Sequence, residues 1–505
     1  MAALPTSAII GIVGAGAMGS GIAQVAAQAG HTVLLFDAFD GAAVRGKAGI
    51  VAGLAKLTAK GKLDAEQAAA IAERISVCDT LEQMAPAALV IEAIVEKLEV
   101  KHQLFKTLEA VTGAECILAS NTSSLSLTAL ASVLTNPARM VGMHFFNPAP
   151  IMALVEVVKG LATPDSLVQT IADTASAWGK APVLCKSTPG FIVNRVARPF
   201  YAEGMRLAQE GAADIATIDA VLREAGQFRM GPFELTDMIG HDVNFAVTRS
   251  VHAAYFNDPR FLPNLLQQDL VEAGWLGKKS GRGFYDYAEG AEKPLPGTAE
   301  PCAAPTSLDV LGDLGPASAL ADLAAKAGMI LARMGGAGMI DLHGVTIMLT
   351  DGRTASEVAA ISGIDDLVVF DLALDWCAAK RIAIAPAGQC APAALNRAVG
   401  FFQALGLSVS IFADVPGLAV MRTIAMLANE AADTLYQGIA SAADIDLAMT
   451  KGVNYPLGPL AWAERIGLAR ILTVLDNLAR TYGEDRYRAS AHLRRLVFAK
   501  GRFHD

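Results

Sequence analysis

Acidic and basic side chains are missing from Ile9 to Phe36, and the first basic residue of the chain is Arg45. A secretory leader needs a charged start ahead of its apolar core, so none is expected. The uncharged stretch is long enough to suggest a membrane span. However, Gly11, Gly14, Gly16, Gly19, Gly21 and Gly30 interrupt it. The six cysteines (Cys78, Cys116, Cys185, Cys302, Cys377 and Cys390) form no CxxC pair, and there is no HExxH or Cys/His cluster. Reduced thiols in a cytoplasmic protein and no metal site are therefore expected. Charged residues are scarce, at 18%, against 53% hydrophobic ones, which excludes a disordered chain. The formal net charge of −9 argues against a nucleic-acid surface. At 505 residues the chain exceeds one ordinary domain.

What is present begins with the uncharged stretch itself. Ala8–Val13 reads as a buried strand, Ser20–Gly30 as a helix ended by glycine, and His31–Asp37 as a second strand. Between the first strand and the helix stands Gly14-Ala15-Gly16-Ala17-Met18-Gly19. This is the βαβ order that a dinucleotide needs. Gly14 makes the tight turn, Gly16 admits the pyrophosphate, and Gly19 lets helix pack on strand, with the phosphates facing unpaired N–H groups. Asp37 falls where an acid binds the adenine ribose hydroxyls, and its charge repels a 2′-phosphate. NAD is the expected cofactor, although the fingerprint alone leaves flavin open.

Further strands are read at Ala88–Ala93, Cys116–Ala119 and Met140–Phe146. Ligands bind at the carboxyl ends of such strands. That points to Glu96, to Ser120-Asn121-Thr122-Ser123, and to His144 with Asn147. Glu156 follows His144 by twelve residues in a further strand, LVEVVKG. A histidine titrates near neutral pH and suits a general base, and a carboxylate on its second nitrogen fixes the tautomer. Spacing alone is weak evidence for such a pair and favours a packed histidine and a surface glutamate.

The segments ASNTSSLSLTAL, GMHFFNPAPIMALVEVVKG and STPGFIVNRV closely resemble the (S)-3-hydroxyacyl-CoA dehydrogenases, in order and at family spacing, over about residues 7–287. The resemblance implies NAD-dependent oxidation of an (S)-3-hydroxyacyl-CoA to the 3-oxoacyl-CoA. It makes His144 the catalytic base, Glu156 its orienting partner, and Ser123 and Asn194 the polar groups on the substrate oxygen. It also implies cofactor contacts at Asp37, Glu96, Lys101, Ser123, Asn147 and Lys279, and a homodimer. Taken alone, Lys101 is an ordinary helix charge and Lys279 a surface charge in GKKSGRGF. Arg45–Lys62 holds five basic residues and no acid, and as a helical arm it suits the CoA phosphates. Within it, Lys60 matches a family CoA contact, while Gly53 stands where the family has a serine.

Thr188–Gly240 reads as helical, and Glu292–Pro305 as a linker rich in Pro, Ala and Gly. The chain then repeats itself. Pro189-Gly190 matches Pro416-Gly417, Arg195 matches Arg422, Ile218-Asp219 matches Ile445-Asp446, Gly231-Pro232 matches Gly458-Pro459, and Ile239-Gly240 matches Ile466-Gly467. All five pairs stand 227 residues apart. Met421 occupies the position of Asn194, so the second copy is expected to be structural. Between the copies VTIMLT, LVVFDLAL, RIAIAPA and LSVSIFA read as strands, while LDVLGDLGPAS lacks the glycine fingerprint.

The expected fold is α/β, in five segments. A Rossmann domain (1–187) is followed by an all-α helical domain (188–290), a linker (291–305), a degenerate Rossmann-like segment (306–412) and a second helical copy (413–505). The partner is an acyl-CoA, with neither nucleic acid nor membrane. The long form with a duplicated helical domain resembles bacterial enzymes of phenylacetate catabolism, which implies 3-hydroxyadipyl-CoA as one substrate. Two other readings are a crystallin-like relative without activity and a dehydrogenase of a free hydroxyacid. The first would show a damaged site, and the second usually carries a basic clamp for the carboxylate.

Overall fold

Short apolar runs cut off by glycine turns become parallel strands in the computed structural model, which describes residues 2–504. The chain divides into two units, Met1–Arg195 with Gln437–Val453, and Val196–Tyr436 with Asn454–Asp505.

The first unit is built on eight strands: β1 (Ile10–Val13), β2 (Val33–Phe36), β3 (Ile75–Val77), β4 (Leu89–Glu92), β5 (Ile117–Ser120), β6 (Met140–Phe145), β7 (Leu154–Lys159) and β8 (Ala181–Lys186). Their order is β3-β2-β1-β4-β5-β6-β7-β8. Only the β6–β7 pair is antiparallel. Strands such as β1 and β4 are buried along their whole length, which is why they read as continuous apolar runs. Ile10, Ile12, Leu89 and Ile91 lose all exposure, and each such side chain contributes about 1.5–3 kcal/mol. The first helix runs Ala17–Gln28, starting three residues earlier than the sequence suggests because its first turn is the glycine loop itself. The basic arm is a helix over Ala42–Ala59, so Lys60 and Lys62 lie just past its end.

The second unit carries seven more strands: β9 (Ser307–Leu311), β10 (Ile330–Met334), β11 (Met339–Asp341), β12 (Thr346–Leu349), β13 (Leu367–Phe370), β14 (Arg381–Pro386) and β15 (Ser408–Ile411). Their order is β10-β9-β11-β12-β13-β14-β15. β11 is antiparallel to both neighbours, whereas β13–β14 repeats the antiparallel pair of the first sheet. The four apolar runs read between the helical copies are β12 to β15. Among the described residues no helix or strand lies between Ser280 and Ser307.

The repeat is visible helix by helix. Ile215–Glu224 and Ala442–Gly452, Pro232–Ile239 and Pro459–Ile466, and His241–Ala254 and Leu468–Tyr482 begin 227 residues apart. The copies are also exchanged. Helix Ala442–Gly452, from the second copy, packs on β7 and β8 in the first unit, where Lys186 N–H donates to the Ile439 carbonyl. Helix Ile215–Glu224, from the first copy, packs on β14 in the second unit, where Ala413 N–H donates to the Ala212 carbonyl. These two bonds are the same bond, with the roles of the copies reversed. Inside the second unit a fully buried Arg422 joins both copies. It donates to Glu203 at 2.7 Å, to Glu210 at 2.8 Å, and to the hydroxyls of Tyr482 and Tyr487, each at 2.8 Å.

Candidate active site

The glycine loop takes the form its residues require. Gly14 sits at φ +100°, and a Cβ on Gly19 would stand 1.7 Å from the Gly14 carbonyl oxygen, so neither position admits a side chain. A Cβ on Gly16 would meet nothing within 4 Å, so its backbone faces open space. Met18 instead packs against the apolar core. The loop opens on a cavity of about 1170 Å³ lined by Gly14, Gly16, Ala17, Asp37, Phe39 and Arg45, among others. Asp37 is held in place at its wall, accepting from Ala15 N–H at 2.7 Å and Phe39 N–H at 2.9 Å. A helix N-terminus with bare glycine backbone and a fixed carboxylate beyond it fits a pyrophosphate and a ribose diol. Phe39, 78% exposed, adds an aromatic face that the sequence reading missed. Its signal was a large apolar residue two positions after the ribose acid.

His144 and Glu156 come together because the β6–β7 hairpin places them opposite each other in register. Directly opposed residues of antiparallel strands share a face. The twelve-residue spacing is thus the length of the hairpin. His144 Nδ1 lies 2.6 Å from Glu156 Oε2, with both side chains buried. A carboxylate can only accept, so Nδ1 carries the proton and Nε2 is left with a lone pair. The other Glu156 oxygen accepts from Ile192 N–H at 3.0 Å and Val193 N–H at 2.9 Å. The carboxylate is therefore fixed at both ends, and the chain that follows presents Asn194, half-buried, one residue later.

The Ser123 loop is assembled by acids. Glu96 accepts from Ser123 N–H at 3.0 Å, from Ser124 N–H at 3.2 Å, and from the hydroxyls of Ser124 and Thr122. Burial would raise the Glu96 carboxyl, but the Lys101 charge and these hydrogen bonds outweigh it and hold it below its ordinary value. Lys101 is not a solvated helix charge. It is 1% exposed, 2.7 Å from Glu92 and 3.0 Å from Glu96. Asn121 links this loop to the base, since its side-chain oxygen accepts from Phe145 N–H, next to His144, at 2.8 Å.

Asn147 is exposed and precedes a cis proline. Lys60 is exposed at the end of its helix, and a side chain at Gly53 would find open space. Lys279 belongs to the second unit, where it pairs with Asp242 at 2.5 Å. Asp309, Asp341 and His343 bring ligand atoms within 4.8 Å of one another, an arrangement common in exposed acidic groups without an ion.

The second sheet shows what became of the dyad. β13 and β14 pair Phe370 with Ile384, which sets Asp371 against Ala383. The 227-residue offset carries His144 to Asp371 and Glu156 to Ala383. Asp371 accepts directly from the N–H groups of Ala419, Val420 and Met421. The anchoring of a helix start survives there, without the histidine.

Residues 9–188 match the family described as "3-hydroxyacyl-CoA dehydrogenase, NAD binding domain". Residues 190–287 and again 417–504 match its C-terminal domain. Residues 347–416 match a "3-hydroxybutyryl-CoA dehydrogenase reduced Rossmann-fold domain". The chain is 44% identical to a 3-hydroxyadipyl-CoA dehydrogenase of Escherichia coli (strain K12), covering 96% of each chain. A crystal structure of 3-hydroxybutyryl-CoA dehydrogenase from Escherichia coli K12 superimposes with a TM-score of 0.90 at 43% identity, covering 98% of this chain and 99% of the other. The human mitochondrial hydroxyacyl-coenzyme A dehydrogenase is 40% identical over 55% of this chain and 90% of its own.

Proposed function

The chain belongs to the 3-hydroxyacyl-CoA dehydrogenase family, and from that premise we propose that His144 Nε2 removes the 3-hydroxyl proton of an (S)-3-hydroxyacyl-CoA. The protein is an NAD-dependent oxidoreductase. As the O–H bond breaks and C3–O becomes a carbonyl, the C3 hydrogen leaves with its electron pair. Bound NAD supplies the acceptor for that hydride. The observation that carries this reading is the buried 2.6 Å bond between His144 and Glu156, with the far oxygen of Glu156 tied to two backbone amides. Glu156 holds the ring in the basic tautomer and balances the imidazolium that forms. Ser123 and Asn194 hold the substrate oxygen. Gly14, Gly16, Ala17, Met18, Gly19, Asp37, Glu96, Lys101, Asn147 and Lys279 are the proposed cofactor residues, and Lys60 the CoA contact.

The acyl group we favour is 3-hydroxyadipyl, supported by the 3-hydroxyadipyl-CoA dehydrogenase that matches 96% of the chain. We also read the chain as cytoplasmic, in keeping with six free thiols among the described residues, and as a homodimer, which rests on the family resemblance. Among the described residues no helix is long and apolar enough to cross a membrane. The five segments predicted from the sequence are proposed as its inherited parts.

Loss of absorbance at 340 nm with acetoacetyl-CoA and NADH tests the chemistry. His144→Ala should lower turnover by about 10²–10⁴-fold, and near-normal turnover would refute the assignment. A panel of butyryl, hexanoyl, adipyl and long-chain 3-hydroxyacyl-CoAs should rank the adipyl thioester first. If every thioester were inert, the inactive crystallin-like reading would replace this one. Light scattering should give twice the mass of the chain.

A further inference from the structure

One buried charged residue in the site has no role in the reading above. Glu92 closes β4, is 0% exposed, and lies at the carboxyl end of the sheet where the site is built. Its Oε1 accepts from Lys101 Nζ at 2.7 Å and from the Ser120 hydroxyl. Its Oε2 accepts from Lys101 at 2.9 Å and from Ile94 N–H at 3.2 Å. A carboxylate taken wholly out of water is tolerated only when paired and bonded on both oxygens, as here. Lys101 shares its three protons between Glu92 and the second acid, Glu96. The charge passes outward in sequence: Glu92 neutralises Lys101, Lys101 fixes Glu96, and Glu96 collects the amides of Ser123 and Ser124. Ser120 closes the circuit from the other side, because its hydroxyl also accepts from Thr122 N–H at 3.1 Å.

We propose that Glu92 is a positioning residue, one that sets the Ser123 loop and the Glu96 carboxylate in their working geometry through Lys101. Its position in the fold supports this. Both ends of the loop, Ser120 and Ser124, are tied to the Glu92–Lys101–Glu96 triad, and the loop has no regular structure of its own. Without Glu92, the ammonium of Lys101 would be buried with a half-exposed partner only, and Glu96 would be drawn inward, away from the serine amides. The proposal rests on the catalytic reading of Ser123, so its test includes a readout that does not depend on turnover.

The test uses the full-length protein with Glu92→Gln, Lys101→Gln, both together, and Glu92→Asp. Amide hydrogen exchange at Ser123 and Ser124 reports the loop directly. In Glu92→Gln it should accelerate at least about tenfold, while Gly14 and Ser20, bonded to the Phe36 and Gly16 carbonyls, stay protected. In the acetoacetyl-CoA assay kcat/KM should fall by about 10–100-fold, the usual cost of losing an outer partner of a site. ADP-ribose affinity, set at Asp37, should stay within about twofold. The double variant should lose no more than the worse single one, as expected for two members of one circuit. Glu92→Asp, which keeps the charge one methylene short, should be intermediate, and it serves if Glu92→Gln fails to fold. Unchanged exchange at Ser123 and Ser124, or losses that multiply in the double variant, would overturn the proposal. Should the wild type show no NAD-linked turnover, the catalytic reading falls while the exchange result still decides the clamp.

Discussion

Replacing Glu156 by Gln changes one oxygen into an amide and almost nothing in volume, and its effect can be worked through atom by atom. The native carboxylate accepts at both ends, from His144 Nδ1 at 2.6 Å and from Ile192 and Val193 N–H at 3.0 and 2.9 Å. Glutamine has one oxygen and one NH₂ group. If the oxygen keeps the two amides, the NH₂ faces His144 and donates to Nδ1. The ring must then carry its proton on Nε2, where the base is needed. If the oxygen turns to His144, the NH₂ meets two backbone N–H groups in a buried site, at a cost of about 1–3 kcal/mol per unsatisfied group. The first arrangement is the cheaper, and it inactivates the base by tautomer. The same swap in a Ser-His-Asp triad costs about 10⁴ in turnover. A fall of about 10³–10⁴ in kcat is therefore expected here, about 4–5.5 kcal/mol at 1.36 kcal/mol per decade. Stability should fall by only about 1 kcal/mol, from the lost anion at a helix start. Stopped-flow absorbance at 340 nm with saturating acetoacetyl-CoA and NADH measures the first quantity, and guanidinium denaturation the second. A variant with kcat within about threefold of wild type would refute the tautomer argument.

Three further expectations follow from the two units. Asp37→Ala should weaken NADH binding about tenfold or more, by loss of charge-assisted bonds of about 1.5–3 kcal/mol, with the fold unchanged; unaltered fluorescence titration of NADH would remove Asp37 from the cofactor site. Burial pushes Asp371 up to about 6, against the pull of the Met421, Val420, Leu372 and Ala419 amides. An acid raised in the folded state favours folding below its unfolded value near 4 and loses that advantage as pH rises to 6, about 3 kcal/mol in all. Relative to wild type, Asp371→Asn should therefore gain stability between pH 4 and 7, and a stability difference that is flat with pH would contradict this. Met421→Asn should leave kcat within about twofold while lowering stability by about 2–3 kcal/mol, because it buries an amide at a fully enclosed apolar position; a strong change in turnover would give the second copy a catalytic part.

Much of the site was legible in the sequence because its residues lie at the ends of strongly apolar runs. β2, β5 and β6 announce themselves, and Asp37, Ser123 and His144 stand at or near their carboxyl ends. The 227-residue register read from five matched pairs also relates the first residues of three pairs of helices, of which only Pro232 and Pro459 were among those pairs. Other features left weaker marks. β3 has three residues, Ile75–Val77, and β8 begins with Ala-Pro, so neither offers an alternating or continuous pattern. Lys101 is read as exposed by residue type, yet it stands three and four positions before the buried Leu104 and Phe105, on the helix face that packs inward. Glu92, inside ALVIEA, passed for the end of an apolar strand. Which copy of a helix covers which sheet has no local signal at all, since both copies carry the same pattern.

That exchange bears on how such a gene can be shortened. A chain cut after residue 290 would keep β7 and β8 but lose the helix that covers them, while its own Ile215–Glu224 would be left without β14. Two such chains could each lend that helix to the other, the usual economy of a swapped dimer. Shortening the protein would then turn an intramolecular cover into an association that depends on concentration, and the fragment should be folded when concentrated and frayed along β7 and β8 when dilute.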